Sequence, residues 1–331
     1  MAGLVGWVLL VTAITFVSVA TTAIAEAGEY TRCQRAGDAT VVDVSVASCD
    51  DAVAVATALA AEPDARSEAV LRGAGWSPLR AAATGDRKHY DLVAIRGRAA
   101  LRIRRAGAAP DLDGWAAGRE LLFARGRLVG GKPPPRRSAL CTSAFLIRLG
   151  GHPGGLSAAH CGGLHSDGGT TRRRNAALRR PPQPGIVLGR VARNLLRTRP
   201  LDALVLPVPS GTGRPSAAVV DRGVSRPPWF VTGRARPLLG RSVCYTGRTS
   251  GIDRCGRIVR SYPGTRLPCT TITARQGDSG GPVYSTPRAD GSVRAIGITT
   301  LVFGLLQSMC FTPLGPVLDA LNARLVTAPA A

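Results

Sequence analysis

One stretch, Arg275–Val283, restricts the local backbone more than any other part of this 331-residue chain. It reads Arg-Gln-Gly-Asp-Ser-Gly-Gly-Pro-Val, so Ser279 stands between Gly277 on one side and Gly280 and Gly281 on the other. Glycine accepts positive φ angles and lets another backbone come close, which predicts a sharp turn free of neighbouring side chains around the serine. A serine hydroxyl held in this way, beside backbone N–H groups aimed at an oxyanion, is suited to attack on a carbonyl.

Such a turn predicts two partners elsewhere in the chain, a histidine that takes the serine proton and an aspartate that orients the histidine. His160 follows a short apolar run, and Asp202 precedes an apolar segment typical of a buried strand. The order along the chain is histidine, aspartate, serine. The sequence therefore predicts a catalytic triad of His160, Asp202 and Ser279, with the N–H groups of Gly277 and Ser279 as the oxyanion hole.

These motifs resemble those of the chymotrypsin-like serine proteases, and more closely the short bacterial branch of the streptogrisin and α-lytic type. The resemblance covers residues 128–331. It implies an all-β fold of two antiparallel six-stranded barrels with a C-terminal helix, and a serine endopeptidase that forms an acyl-enzyme without a cofactor or metal ion. Short β-prone runs broken by Gly and Pro agree with the barrels, and the apolar spacing over Pro316–Leu325 agrees with the helix.

The eight cysteines are even in number and include no C-x-x-C pair, which favours disulfides in an oxidising compartment over a metal site. Local pairing along the chain would join Cys33 with Cys49, Cys141 with Cys161, Cys244 with Cys255 and Cys269 with Cys310. The resemblance implies the last three pairs. It also implies that one of them tethers the loop of the catalytic histidine and that another closes the specificity pocket beside the serine.

The first 25 residues are predicted to direct export. Residues 3–25 carry no charge and are long enough to cross a bilayer, and Ala23-Ile24-Ala25 has the small-x-small form of a signal-peptidase site. Cleavage after Ala25 would give a secreted protein. Because no Lys or Arg precedes the apolar run, an uncleaved membrane anchor through residues 3–25 is the alternative, with the rest of the protein outside the cytoplasm.

Residues 26–127 are predicted to form a small α+β module without catalytic residues. The expected elements are a strand over 39–47, helices from Asp50-Asp51 to about Ala61 and over Ala65–Leu71, and strands over His89–Ile95, Ala99–Ile103 and Glu120–Phe123. The position of the module resembles that of a pro-region. Leu128-Val129-Gly130-Gly131 resembles a mature N-terminus, so cleavage between Arg127 and Leu128 is expected, with an uncut linker as the alternative.

The formal charge of +22 raises the possibility of nucleic-acid binding. The arginines are scattered along the chain, however, and aromatic residues that stack on bases make up only 5% of it. We therefore expect protein or peptide substrates and a monomeric protease domain, with no nucleic-acid partner.

Asp278 is expected to be buried beside the nucleophile, and a buried carboxylate without a partner is costly, so the sequence predicts a cation against it. In the bacterial branch that cation is an arginine just after the cysteine that is Cys244 here, but this chain has Tyr245 at that position. The remaining candidates are Arg241, Arg248 and the amine of Leu128 that cleavage would free.

Substrate preference is predicted from the residues that the resemblance assigns to the substrate-binding pocket, which are Thr273, Thr300, Leu301 and Val302. They are uncharged, and the last two stand where relatives usually have glycines. We therefore expect a narrow apolar pocket that prefers small or medium apolar residues at P1. The alternative functions are a catalytically silent protease-fold binding protein at the cell surface and a narrow-specificity esterase.

Overall fold

The computed structural model describes residues 29–33, 41–45, 47–61, 67–83, 89–106, 115–124, 138–162, 175–180, 183–208, 218–262, 267–303 and 308–329. Within these ranges no helix combines the length and the apolar character needed to cross a membrane. The predicted leader and the processing positions Ala25, Arg127 and Leu128 lie outside the described residues.

The N-terminal module is an antiparallel sheet in the order β1-β2-β5-β4-β3 with two helices. Its elements are β1 (Thr31–Arg32), β2 (Val41–Ser45), α1 (Cys49–Ala60), α2 (Ser67–Gly73), β3 (Ser77–Ala83), β4 (His89–Arg96) and β5 (Ala99–Ala106). The Ser48 side chain caps α1 by accepting from the N–H of Asp51, two residues earlier than the cap we expected. Helices and sheet share a core around the fully buried Trp76, so the predicted α+β architecture is present over residues 29–106.

The first half of the body contains two sheets, in the orders β11-β10-β6-β7 and β12-β13-β9-β8-β22. The strands are β6 (Glu120–Ala124), β7 (Ser138–Thr142), β8 (Leu146–Leu149), β9 (His152–Ser157), β10 (Asn175–Arg180), β11 (Gln183–Arg190), β12 (Arg193–Asn194), β13 (Leu204–Pro207) and β22 (Ala323–Leu325). They enclose one core in which Trp115 packs so closely on Gly155 that a Cβ there would overlap the indole ring. Its Nε1–H donates to the Ala144 carbonyl at 3.1 Å.

β6 does not belong to the module, where its sequence had placed it. It pairs with β7 on one side and with β10 on the other, in the middle of a sheet of the body. Its apolar residues Leu121, Leu122 and Phe123 are all buried, so both faces of the strand are covered. Together with Trp115, this pairing shows that the described residues 115–124 pack with the body, and the predicted processing boundary between Arg127 and Leu128 stays a prediction.

The second half closes into a six-stranded barrel in the order β20-β19-β16-β17-β18-β21, with β21 pairing back onto β20. The strands of this half are β14 (Val219–Val220), β15 (Trp229–Arg234), β16 (Ser242–Gly247), β17 (Gly251–Ser261), β18 (Pro268–Thr273), β19 (Pro282–Ser285), β20 (Ser292–Phe303) and β21 (Ser308–Pro313). The all-β prediction is confirmed, as is the C-terminal helix, which is α3 (Leu314–Leu321). The helix ends earlier than expected because Asn322 adopts a left-handed conformation (φ 49°), and the next three residues form β22.

Four disulfides join the same pairs of cysteines that local pairing suggested. Cys141–Cys161 links β7 to the 3₁₀ turn that carries His160. Cys269–Cys310 links β18 to β21 in the barrel wall, and both residues are buried. This bond therefore lies within the strand pairing, where Cys310 also stands opposite Leu301 of β20, and its predicted place beside the specificity pocket stays a prediction.

The module packs against the body through a small apolar cluster and several arginines. Leu79 and Val93 of the module share this cluster with Ala116, Val219 and Phe230 of the body. The charged and polar contacts between them are Arg98 to Asp290 at 2.7 Å, Arg102 Nη1 to the Val224 carbonyl at 3.3 Å, and Arg119 Nη2 to the Leu79 carbonyl at 2.9 Å. None of these contacts involves a predicted triad residue.

Candidate active site

His160 and Asp202 meet because their strands are neighbours. β9 leads into the 3₁₀ turn Ala159–Gly162, Asp202 lies two residues before the start of β13, and the two strands pair with Leu204 opposite Ser157. His160 Nδ1 lies 2.6 Å from Asp202 Oδ2, and the His160 backbone N–H donates to Oδ1 at 2.9 Å. Asp202 thus holds both the ring and the backbone of the histidine, which directs Nε2 away from the aspartate.

Thr300, predicted as a substrate-binding residue, instead directs its hydroxyl at the triad. Thr300 Oγ1 donates to Asp202 Oδ2, and the threonine is almost completely buried in β20. Burial alone would raise the pKa of Asp202. The hydrogen bond from the His160 ring, the charge of that ring when it is protonated, the Thr300 hydroxyl and the His160 backbone N–H outweigh burial and lower the pKa below the ordinary value, so the carboxylate stays ionised.

The turn around Ser279 has the backbone that its glycines predicted. Gly277 and Gly280 have φ angles of +101° and +88°, and a Cβ on Gly280 would overlap Ser157 Oγ and the Thr142 carbonyl. The Asp278 N–H donates to the Arg275 carbonyl at 3.0 Å, which closes the turn. Among the described residues no acceptor takes the N–H groups of Gly277 or Ser279, so both remain available to an oxyanion.

Thr142, at the end of β7, connects the serine turn to the first half of the body. Its N–H donates to the Ser279 carbonyl at 2.8 Å, and its hydroxyl donates to the Gly277 carbonyl at 2.9 Å. The neighbouring disulfide brings Cys161 Sγ to within 3.9 Å of the Ser279 carbonyl. The residue after His160 and the serine turn are therefore in contact across the interface of the two halves. Sequence reasoning missed Thr142, because nothing in its local pattern distinguishes it from other strand residues.

Ser279 Oγ forms no hydrogen bond with the described residues. Catalytic hydrogen bonds are often long or poorly aligned before substrate binds and tighten in the Michaelis complex. The geometry therefore leaves the hydroxyl open to a substrate carbonyl, on a turn whose backbone is held from both sides.

Asp278 is fully buried, as expected, but its hydrogen-bond partners among the described residues are uncharged, and the third candidate, the amine of Leu128, lies outside those residues. Oδ1 accepts from the N–H groups of Thr249 and Ser250 at 2.8 and 2.9 Å. Oδ2 accepts from the Arg275 N–H at 2.7 Å, from Ser250 Oγ at 2.5 Å and from Tyr245 Oη at 3.2 Å. The predicted cation is thus replaced by uncharged donors, because two hydroxyls and three backbone N–H groups already fill the acceptor positions of the carboxylate.

The two arginines proposed as partners of Asp278 are engaged elsewhere. Arg248 forms an ion pair with Glu120, and Arg241 donates to the Arg236 carbonyl at 3.4 Å.

The remaining predicted pocket residues lie on two strands of the closed barrel. Thr273 ends β18 with an exposed side chain, and its carbonyl lies 3.2 Å from Tyr245 Oη. Leu301 and Val302 lie in β20 opposite Cys310 and Met309, and their side chains are outside the described part of the structure. The structure thus brings β18 and β20 to the same barrel, with β21 between them.

Comparison with known proteins identifies relatives by structure only. No protein-family model and no curated protein matches the chain. Three solved structures that match each align with 64% of this chain: Protease A of Thermobifida fusca (26% identity, 97% of that chain, TM-score 0.45), the Nocardiopsis protease NAPase (23%, 98%, 0.45) and the Cellulomonas bogoriensis chymotrypsin (23%, 97%, 0.43). The chain is similar to chymotrypsin-like serine proteases, the family that its sequence motifs resemble.

Proposed function

We propose that the protein is a serine endopeptidase that hydrolyses peptide bonds through an acyl-enzyme intermediate. Ser279 Oγ attacks the substrate carbonyl while His160 Nε2 takes its proton, and His160 then returns that proton to the leaving amine. Asp202 holds the imidazole in the required tautomer and stabilises the imidazolium, and the N–H groups of Gly277 and Ser279 bind the oxyanion. Water attacks the acyl-enzyme in the second half of the reaction, with His160 as the base.

The observation that carries this proposal is the doubly held histidine beside a turn with two unused N–H groups. The 2.6 Å contact between His160 Nδ1 and Asp202 supports the base, and the lowered pKa of Asp202 supports a lasting negative charge behind the base. The positive φ of Gly277 and the two unused N–H groups support the oxyanion hole. A binding protein without turnover would have no need for this combination.

Labelling with a fluorophosphonate probe, followed by digestion of casein, tests the proposal, with Ser279→Ala as the matched control. We expect covalent labelling and proteolysis from the parent protein and neither from the variant. Labelling without proteolysis would favour a narrow-specificity esterase. Absence of labelling in the folded parent protein would favour a silent binding protein and contradict the proposal.

We also propose a preference for small or medium apolar P1 residues. Thr273 at the end of β18 carries no charge to bind a Lys or Arg side chain, and Leu301 and Val302 of β20 stand where the resemblance leads us to expect glycines. Profiling with a peptide library should return Ala, Val or Leu at P1. A dominant preference for Arg would contradict this assignment and would leave self-cleavage after Arg127 possible.

We propose that the protease acts outside the cytoplasm, either secreted after cleavage at Ala25 or anchored through residues 3–25. Four disulfides support an oxidising compartment. N-terminal sequencing of the exported protein distinguishes the cases, since a start at Glu26 indicates signal cleavage and an intact Met1 indicates an anchor.

A further inference from the structure

The uncharged environment of Asp278 has a consequence for how the active site is assembled. Asp278 lies between Gly277 and Ser279, the two residues whose N–H groups form the proposed oxyanion hole. The N–H of Ser279 is part of the peptide bond between Asp278 and Ser279. The N–H of Gly277 lies one peptide bond before the bond that joins Gly277 to Asp278. A carboxylate that changed its position would therefore reorient both donors.

Ser250 is the principal donor to this carboxylate. It binds each carboxylate oxygen once, through its N–H at 2.9 Å and its hydroxyl at 2.5 Å. It lies in the turn between β16 and β17, where the Thr249 N–H adds a third bond at 2.8 Å and Thr249 Oγ1 donates to the Gln276 carbonyl at 2.8 Å. The hairpin turn therefore forms hydrogen bonds both to the side chain of Asp278 and to the backbone just before Gly277.

Tyr245 supplies the remaining side-chain donor from β16. Its ring is fully buried, and its hydroxyl lies 3.2 Å from both Asp278 Oδ2 and the Thr273 carbonyl. Burial raises the pKa of Tyr245 well above its ordinary value, so the phenol keeps the proton that it donates. Tyr245 occupies the position at which the sequence comparison had led us to expect an arginine.

The space around Asp278 is closed. Gly247 in β16 lies so near that a Cβ there would overlap the Asp278 carboxylate. No cation of the described residues forms an ion pair with Asp278. The carboxylate is therefore held by hydrogen bonds from donors that are present both before and after cleavage between Arg127 and Leu128.

We infer that Ser250 and Tyr245 are positioning residues that hold the Asp278 carboxylate, and through it the N–H groups of Gly277 and Ser279, by uncharged hydrogen bonds. The oxyanion hole is consequently assembled in the uncut chain and does not depend on a new amino terminus at Leu128. This inference rests on the proposed function, since it assigns the two residues a part in the same reaction.

The first experiment compares Ser250→Ala and Tyr245→Phe with Ser250→Thr, which keeps the hydroxyl, and with Ser261→Ala, an exposed serine at the far end of β17. Turnover of a chromogenic peptide is measured as kcat and KM, with thermal unfolding as the check on folding. Since a 1 Å displacement of catalytic groups can lower a rate roughly 100-fold, we expect kcat to fall about 10- to 100-fold with KM changed less than about twofold. Ser250→Thr should recover most of the loss.

Equal kcat values for Ser250→Ala, Tyr245→Phe and Ser261→Ala would overturn the inference while the parent turnover left the proposed function standing. Gly247→Ala, with Gly233→Ala in β15 as control, tests the same point by a different change. Gly233 has open space for a Cβ, so only Gly247→Ala should abolish fluorophosphonate labelling. Equal labelling of these two variants would also contradict the inference.

The second experiment tests independence from cleavage with Arg127→Ala in the full chain, kept intact as verified by mass spectrometry. We expect the uncut variant to react with the fluorophosphonate probe at the rate of protein cut after Arg127. Reaction by the cut form alone would show that a freed amine is needed and would overturn the inference. If neither form reacted, the proposed function itself would fail.

Discussion

Thr300 shows how a single hydroxyl can support the proposed active site through another side chain. It donates to the Asp202 oxygen that also contacts His160, and so adds a third donor to the His160 ring and the His160 backbone N–H. A carboxylate with three directed donors cannot rotate freely, which keeps the imidazole in one orientation.

Replacing this hydroxyl tests that account. A hydrogen bond to a buried charged group contributes about 1.5–3 kcal/mol, so Thr300→Val is expected to lower kcat/KM by roughly 10- to 100-fold. Thr300→Ser, which keeps the donor, should remain close to the parent. Steady-state kinetics on one peptide substrate compare the three proteins, and an unchanged Thr300→Val would exclude this role.

Asp202 makes a prediction about acid stability. The pKa of Asp202 is lower in the folded protein than in the unfolded chain, where the pKa of an aspartate is about 3.9. The carboxylate therefore stabilises the fold fully above that pH, and the stabilisation is lost as the pH falls through the lower folded-state pKa. Urea unfolding of the parent and of Asp202→Asn at a series of pH values should give a constant stability difference near neutrality that changes towards the Asn variant below about pH 4. A difference independent of pH down to the acid transition would contradict the prediction.

Strand pairing fixes the position of the serine turn, and one disulfide links a strand that precedes this turn in the sequence to a strand that follows it. Cys269–Cys310 spans 41 residues, including the whole turn, whereas Cys244–Cys255 spans 11 within one hairpin of the same barrel. Both bonds join directly paired strands, and they differ in loop length and in the exposure of Cys255, whereas Cys269 and Cys310 are both buried.

The unfolded-chain entropy lost by cross-linking grows with loop length. Removing Cys269–Cys310 by double Cys→Ser substitution should cost about 4 kcal/mol of unfolding free energy, against about 3 kcal/mol for Cys244–Cys255. Denaturant unfolding of both double variants measures this order. A larger loss from the 11-residue loop would show that local packing outweighs chain entropy here.

Several elements follow from their local pattern. The strands expected over His89–Ile95 and Glu120–Phe123 lie within one residue of β4 and β6, and the apolar spacing over Pro316–Leu325 led to α3. β6 was identified as a strand but assigned to the wrong sheet. Its apolar residues indicate that the strand is buried, but they do not indicate which strands it pairs with.

The relation between module and body depends on β6. A cut between Arg127 and Leu128 would leave β6 attached to the module by its chain and to the body by pairing on both edges. No described disulfide joins the two parts, since Cys33 and Cys49 pair within the module. The two fragments would therefore be held by hydrogen bonds and by buried Leu121, Leu122 and Phe123.

We expect protein cut at an engineered site between residues 125 and 130 to elute as one species in size-exclusion chromatography, with both fragments present after denaturation. A site engineered within residues 107–114 is the matched control. It leaves β6 on the body, so its fragments should separate at a lower urea concentration. If the two fragments separated without denaturant after the cut between residues 125 and 130, the claim that β6 holds them together would be contradicted.

The sequence by itself predicted the groups that we propose to react. The spacing of glycines around Ser279 favours a turn that exposes it, and His160 and Asp202 were found because the chemistry of a serine nucleophile requires them. The tertiary structure alone decided what holds these groups in place. Thr142, Tyr245, Ser250 and Thr300 come from four separate strands or turns, and their roles depend on distances across sheets that local patterns do not encode. For the same reason, only the tertiary structure showed that neutral donors, and not the expected cation, contact Asp278. Whether a buried carboxylate needs an opposite charge depends on how many hydrogen bonds it accepts.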